Sequence, residues 1–220
     1  MEAPTCIIVA NGDVSRSDLS RIDPTTVTVV ACDGAVWACL DHGTSPHAVV
    51  GDLDSINEPG RKEVLPSDVQ VIHMPDQSTT DLAKAMAWAD AEGHRSLLVL
   101  GATGGDLQHE WGNMLACAAS SLDICVVDSR GTRQFLSRGT HHRLFVGHRA
   151  SFSLMAVHDV GGLTLTGAEF ELDHATLRTG SQGVHNVACD DSVSLSYATG
   201  RLALVTDSIA FFPPEDADGA

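Results

Sequence analysis

Ala48-Val49-Val50-Gly51-Asp52-Leu53-Asp54-Ser55 is the stretch on which the reading of the fold turns. Its apolar opening reads as a short buried strand, and the glycine and the two aspartates that follow mark where the strand stops. If the chain stays extended to Asp54, period-two alternation points both carboxylates to the same side. Two oxygen donors at the carboxyl end of a buried strand, beside a glycine that permits close main-chain approach, suit a hydrated Mg²⁺ carrying phosphates. An acidic turn would use the same letters, so the stretch needs its surroundings.

Those surroundings repeat the pattern. Cys6 to Ala10, Val27 to Ala31, Val69 to His73, Leu97 to Leu100 and Ile124 to Val127 are further short apolar runs. Amphipathic stretches fall between them: a helix over Ala35 to Leu40, one over Thr80 to Glu92 capped by Thr79 or Thr80, and one over Leu107 to Ala119. Strands alternating with helices predict a mainly parallel, Rossmann-like sheet with flanking helices. In such open sheets ligands bind beyond the strand carboxyl ends. That is where the polar clusters fall: Asn11-Gly12-Asp13, Asp33-Gly34, Asp52 with Asp54, Asp76-Gln77, and Gly101-Ala102-Thr103-Gly104-Gly105. The glycine loop opens a helix and would cradle a phosphate on free N–H groups. It is neither G-x-x-x-x-G-K-[ST] nor G-x-G-x-x-G, so neither of those nucleotide-binding modes is supported. Trp111, Met114, Leu115 and Ala118 share one apolar face of the last helix, and Trp37, Trp88 and Trp111 are expected in the core.

The 220 residues carry 13 basic and 29 acidic side chains, a formal charge of −16, which would repel a nucleic-acid backbone. No basic leader precedes an apolar stretch and no apolar run is long enough to span a bilayer, so a cytoplasmic protein without membrane attachment is expected. The six cysteines form no C-x-x-C pair and sit mostly in apolar segments, which predicts buried free thiols. His141, His142 and the other histidines away from the glycine loop lack ligand spacing and are expected on the surface.

After Asp128 helical periodicity stops, and Ser129 to Gly139, rich in Arg, Ser, Gly and Thr, reads as an irregular boundary. From His142 onward come short alternating runs, Arg149 to Val157, Leu163 to Leu165, Ser192 to Tyr197 and Leu202 to Val205, broken by turn-like Asp159 to Gly162 and Ala198 to Arg201. They predict a C-terminal antiparallel β-sandwich. The expected organisation is an α/β domain over 1–137, a β-sandwich over 138–212, and an acidic disordered tail over 213–220.

Five pieces in order resemble the thiamine pyrophosphokinase family: Ala31 to Ala35; Gly51 to Ile56; Pro75-Asp76-Gln77 with Thr80-Asp81; Gly104-Gly105 with His109 and Asn113; and Gly180 to Gly183 with Asn186. The resemblance implies an α/β domain followed by a β-sandwich, and transfer of the pyrophosphoryl group of ATP, with Mg²⁺, to the hydroxyl of thiamine. It implies that Asp52, Asp54 and Asp81 are the catalytic and metal-holding carboxylates. Asp33, Gln77, Thr80, Gly104, Gly105, His109 and Asn113 would bind the nucleotide, and Ser181 and Asn186 the thiamine ring. His109 could equally be a satisfied histidine near a helix start, and which aspartate accepts the hydroxyl proton is open. The family's site lies between two subunits, which implies a homodimer. The family reads Gly-Arg-x-Asp-His where this chain has Gly105-Asp106-Leu107-Gln108-His109, and His185 replaces a small hydroxyl residue. An anion in place of a cation would repel ATP phosphates. Either Arg130 or Arg133 supplies the missing charge, or the chain is a non-catalytic binder of nucleotide or thiamine diphosphate, or it serves a related alcohol.

Overall fold

The structure is a computed structural model and describes residues 3–20, 22–56 and 64–207. The expected acidic tail over 213–220 lies outside the described residues. The chain is mixed α/β and divides into two compact units, one running from Pro4 to Ser120 and the other comprising Ser121 onward with the first residues.

The first unit runs β1 (Cys6–Val9), α1 (Arg16–Leu19), β2 (Thr28–Cys32), α2 (Ala35–Asp41), β3 (Ala48–Gly51), β4 (Gln70–His73), α3 (Asp81–Ala91), β5 (Ser96–Leu100) and α4 (Leu107–Ala119). Its five strands are all parallel in the order β4-β3-β2-β1-β5. Strands β1, β2, β3 and β5 are almost entirely buried. That explains their unbroken Val, Ile, Leu and Ala runs, since helices cover both faces of a parallel sheet. The edge strand β4 is largely exposed and carries Gln70 and His73. The order rises from β1 to β4 on one side and then jumps back to place β5 on the other side of β1. This makes the β1/β5 boundary the switch point, where the loops after the two strands diverge to open a crevice.

The second unit contains β6 (Asp123–Asp128), β7 (Gly131–Leu136), β8 (His142–Phe145), β9 (Ser151–Thr166), β10 (Leu172–Leu177), β11 (Gly183–Val187), β12 (Ser192–Ser196) and β13 (Thr199–Thr206). Pairing within it is antiparallel throughout. Two sequence expectations are corrected here. Ser129 to Gly139, read as an irregular boundary, holds β7, hairpinned to β6 through Asp128↔Gly131. Asp159 to Gly162, read as a turn, lies inside the continuous 16-residue β9. That strand survives its glycines because it bends at a register shift opposite β13, with Gly162 in the left-handed region (φ 67°). Its residues 152–161 pair with β13 and 151–154 also with β11, while residues 160–166 pair with β10 and, at their end, with β12. Phe152, Leu154, Val160, Leu163, Leu165, Leu195 and Leu202 pack into the unit's core.

Five of the six free cysteines are buried, as expected, and Cys189 is exposed. His142 is not a surface residue: it is 3% exposed, with Nε2 2.8 Å from the Ser137 carbonyl. Nor is Trp111 in the core of this chain, being 67% exposed while Trp37 is buried. Among the described residues no helix is long and apolar enough to cross a membrane.

Candidate active site

The acidic cluster forms where β2 and β3 end side by side. Asp33 follows β2, Asp52 follows β3, and Asp81 is the first residue of α3, whose N-cap Thr80 accepts a hydrogen bond from the Ala83 N–H at 3.3 Å. One carboxylate oxygen from each of Asp33, Asp52 and Asp81 lies within 4.8 Å of the others. The glycine of the opening motif makes this convergence possible. A Cβ on Gly51 would stand 2.9 Å from Asp33 Cβ and 3.2 Å from Asp81 Oδ1. Asp54 is not in the trio, and the alternation that would have aligned it with Asp52 does not occur: β3 stops at Gly51, and Leu53 turns the chain through the left-handed region (φ 66°). Asp54 instead takes a hydrogen bond from Ser55 Oγ (3.1 Å) and stays close enough to Asp33 to affect its ionisation.

Asp33 is the anchor of the group. It is 3% exposed, its Oδ2 accepts the Ser55 N–H at 3.0 Å, and its Oδ1 is buried with no hydrogen-bond partner. Burial pushes its carboxyl above the usual carboxylate range, the Ser55 bonds pull it back, and the neighbouring Asp54 and Asp81 push it up again. A buried, unsatisfied oxygen facing two other carboxylates is costly unless a cation completes it. The donor set, all oxygen and carboxylate-rich, suits Mg²⁺ or Ca²⁺ rather than a soft metal. Gln77 fixes Asp52 from outside, donating Nε2 to Oδ2 at 2.7 Å.

Beside the trio, at the β1/β5 switch point, lies a cavity of about 240 Å³. Asn11 and Gly12 after β1, Gly101 and Gly105 after β5, Thr80 and Asp81 of α3, and Asp106, His109, Glu110 and Asn113 of α4 line it. Thr80, Gly105, His109 and Asn113, named from sequence, therefore share one crevice. Asn113 is 9% exposed and donates Nδ2 to the Ala102 carbonyl at 3.1 Å, so it also braces the glycine loop. The Gly104 N–H is directed to Glu110 Oε2 at 3.3 Å. The departure at Asp106 has a local explanation: its carboxylate is the N-cap of α4 and accepts the N–H groups of Gln108 (2.8 Å) and His109 (3.3 Å). The helix end expected to offer free donors thus has two of them occupied by its own aspartate.

The second unit has a smaller cavity of about 170 Å³, lined by Leu154, Phe170, Leu172, Gln182, His185 and Asn186 among others. Ser181 lies outside that lining, exposed in the loop between β10 and β11. Asn186 is committed to the main chain of Phe170, accepting its N–H at 3.1 Å and donating to its carbonyl at 2.8 Å. Phe170, whose main chain is held in this way, is 66% exposed and lines the cavity. Sequence reasoning missed Phe170, and the available signal was a lone aromatic between two glutamates on a polar stretch.

Lys84 was missed as well. It sits at 4% exposure on the core-facing side of α3, with Nζ 2.8 Å from Asp81 Oδ1. Its signal was the i,i+3 spacing from Asp81 in a chain with two lysines. Burial lowers the Lys84 ammonium pKa, and the bond to Asp81 with the charges of Asp81, Asp52 and Asp76 more than reverses this, holding it above its ordinary value. The cations expected from sequence are engaged elsewhere: Arg130 and Arg133 both pair with Asp128, at 2.9 and 2.8 Å.

Residues 21–126 match the family model described as thiamin pyrophosphokinase, catalytic domain. The chain is 32% identical over 113 residues to Thiamin pyrophosphokinase 1 of Caenorhabditis elegans, a stretch covering 46% of this chain and 45% of that protein. It is 24% identical over 208 residues to thiamine pyrophosphokinase of Bacillus subtilis, covering 91% of this chain and 97% of that one. The crystal structure of thiamine pyrophosphokinase from Bacillus subtilis shares the fold at a TM-score of 0.76 and 21% identity, over 93% of this chain and 99% of the other.

Proposed function

The chain belongs to the thiamine pyrophosphokinase family, and from that premise we propose that it transfers the pyrophosphoryl group of ATP to the hydroxyl of thiamine, giving thiamine diphosphate and AMP. The observation that carries this reading is the buried Asp33 Oδ1, left without a partner in a trio of carboxylates beside the switch-point cavity. In chemical terms the thiamine oxygen forms a bond to the β-phosphorus of ATP, and the bond from that phosphorus to the α–β bridging oxygen breaks. The bridging oxygen leaves with AMP, and the hydroxyl proton passes to a base.

Asp33, Asp52 and Asp81 would hold Mg²⁺, with Asp54 beside them. The ion would neutralise charge developing on the phosphate oxygens. Gln77 keeps Asp52 in place, Thr80 and Gly105 bound the crevice for the triphosphate, and His109 and Asn113 close it from α4. An aspartate of the cluster takes the hydroxyl proton, a short transfer for a carboxylate at the reacting oxygen. We assign the first unit a Rossmann-like nucleotide-binding role and read the second as a β-sandwich that binds the thiamine rings. In that unit Phe170, fixed by Asn186, offers an aromatic face to the cationic thiazolium.

Incubation with ATP, Mg²⁺ and thiamine should yield AMP and thiamine diphosphate in equal amounts. Nucleotide binding without AMP release would instead support the non-catalytic reading, which Asp106 in place of a cation favours. Production of ADP would exclude both.

The site is read as shared between two copies of the chain. Leu107, Trp111 and Leu115 recur at i, i+4 and i+8 along α4 and are 76%, 67% and 54% exposed, on the helix whose other side lines the cavity. An apolar stripe at the mouth of a site, in a chain of charge −16, is the kind of surface a second copy would cover. Sedimentation at micromolar concentration should give a dimer, and Trp111→Glu should dissociate it with loss of turnover. A monomer that turns over thiamine would refute the shared site.

A further inference from the structure

Lys84 is an ammonium buried to 4% exposure, immediately beside a cluster read as a cation site. A positive charge there opposes metal binding, and burying it is costly, so its presence calls for a use. Its geometry supplies one. Nζ donates to Asp81 Oδ1 at 2.8 Å, and that same oxygen lies 3.2 Å from where a Cβ on Gly51 would stand. Asp81 Oδ1 is therefore tied to the lysine one turn along α3, in the space that the missing side chain of Gly51 leaves open at the end of β3. A carboxylate fixed through one oxygen has its rotamer fixed, and its second oxygen remains to serve an ion. Fixing matters because Asp81 is the one member of the trio carried by a helix, while Asp33 and Asp52 follow adjacent sheet strands.

We propose that Lys84 is a positioning residue: it orients Asp81 so that the trio forms a cation site, and it does so at the expense of some electrostatic attraction for the cation. This rests on the metal-holding reading of Asp33, Asp52 and Asp81. It gives the buried lysine a role distinct from that of the charge at the phosphates expected from Arg130 or Arg133.

Positioning and simple charge balance predict effects of opposite sign. If Lys84 only balanced charge, Lys84→Met would leave the trio more negative, and divalent ions would bind at least about tenfold tighter. If it positions Asp81, the freed carboxylate swings away and binding weakens about tenfold, within the range seen when groups orienting a metal ligand are lost. The probe is Mn²⁺, titrated against the full-length protein and followed by the electron paramagnetic resonance of the free ion. The expected result is a roughly tenfold rise in Kd for Lys84→Met, recovery to within about threefold for Lys84→Arg, and a fall in kcat with the KM for thiamine unchanged. An unchanged or lower Kd for Lys84→Met overturns the proposal.

A second pair keeps the test open if Lys84→Met does not fold. Asp81→Asn and Asp81→Asn with Lys84→Met leave no buried carboxylate for the lysine to answer. Positioning predicts that the double variant binds Mn²⁺ more tightly than Asp81→Asn, because with no carboxylate to orient only the repulsion of the lysine is left to remove. Equal or weaker binding by the double variant would show that the lysine supports the site other than through Asp81 and refute positioning. Failure of the underlying reading is separately visible: if Asp52→Asn binds Mn²⁺ as the wild type does, the trio is not the cation site and the proposal falls with it.

Discussion

Asp52→Asn should lower kcat/KM for pyrophosphoryl transfer by about 10²- to 10³-fold, equivalent to roughly 3–4 kcal/mol of transition-state stabilisation. The substitution is nearly isosteric, removing one negative charge from the trio while keeping an oxygen that can still accept the Gln77 amide bond now made at 2.7 Å. Asp52 is only partly buried, so the exchange opens no cavity, and the melting temperature should stay within a few degrees of wild type. The loss should fall mainly on kcat, since neutralising charge as the phosphorus is transferred matters most in the transition state. Gln77→Ala should lose less, about tenfold, because it releases Asp52 without discharging it. A folded Asp52→Asn protein with wild-type turnover would remove the trio from the reaction.

Gly12→Ala is expected to have the largest effect on stability. Gly12 donates to the Gly101 carbonyl at 2.8 Å, and Asp13 donates to that of Thr103 at 2.8 Å, which zips the loop after β1 to the loop after β5. A Cβ at Gly12 would lie 2.2 Å from the Thr103 oxygen and 2.5 Å from the Gly101 oxygen. Both are main-chain atoms, and neither can move aside as a flexible side chain would. The loops must separate, losing these hydrogen bonds and the packing at the switch point, at a cost of about 3 kcal/mol. For a chain of this size that lowers Tm by roughly 6–12 °C. The same two loops line the cavity, so ATP use should fall with stability. Gly43→Ala is the control: at φ 82° with nothing within 4 Å, it meets only the strain of the left-handed conformation, about 1 kcal/mol. Equal melting temperatures for the two variants would show that the close approach at Gly12 contributes nothing.

The parallel sheet was legible because its strands are buried on both faces and so read as runs of Val, Ile, Leu and Ala, with helical stretches between them. A threonine cap for α3, Thr79 or Thr80, and the limits of α4 were legible from local pattern, and the structure selects Thr80. The second unit was less legible. In β9 the local preference of Asp159-Val160-Gly161-Gly162 for a turn is overridden by pairing with β13, a partner some forty residues away. Turn propensity is weak against a ladder of hydrogen bonds whose partners lie far off in the sequence.

The site divides along the same line. Asp81 was named only through the family resemblance, whereas the sequence by itself determined the alternating strand–helix order, the placing of polar clusters after the strands, and, in those clusters, Asp33, Asp52 and Asp54. These depend on periodicity and composition, which are local properties of the chain. Only the tertiary structure decided which carboxylates meet. Asp33 joins Asp52 because β2 lies beside β3, and Asp54 leaves the trio because Leu53 turns the chain. Only it placed Lys84 on Asp81, set Asp106 on its own helix end, and tied Arg130 and Arg133 to Asp128. Distances of a few ångströms between residues decades apart in sequence follow from strand order and helix packing, and no local pattern encodes them.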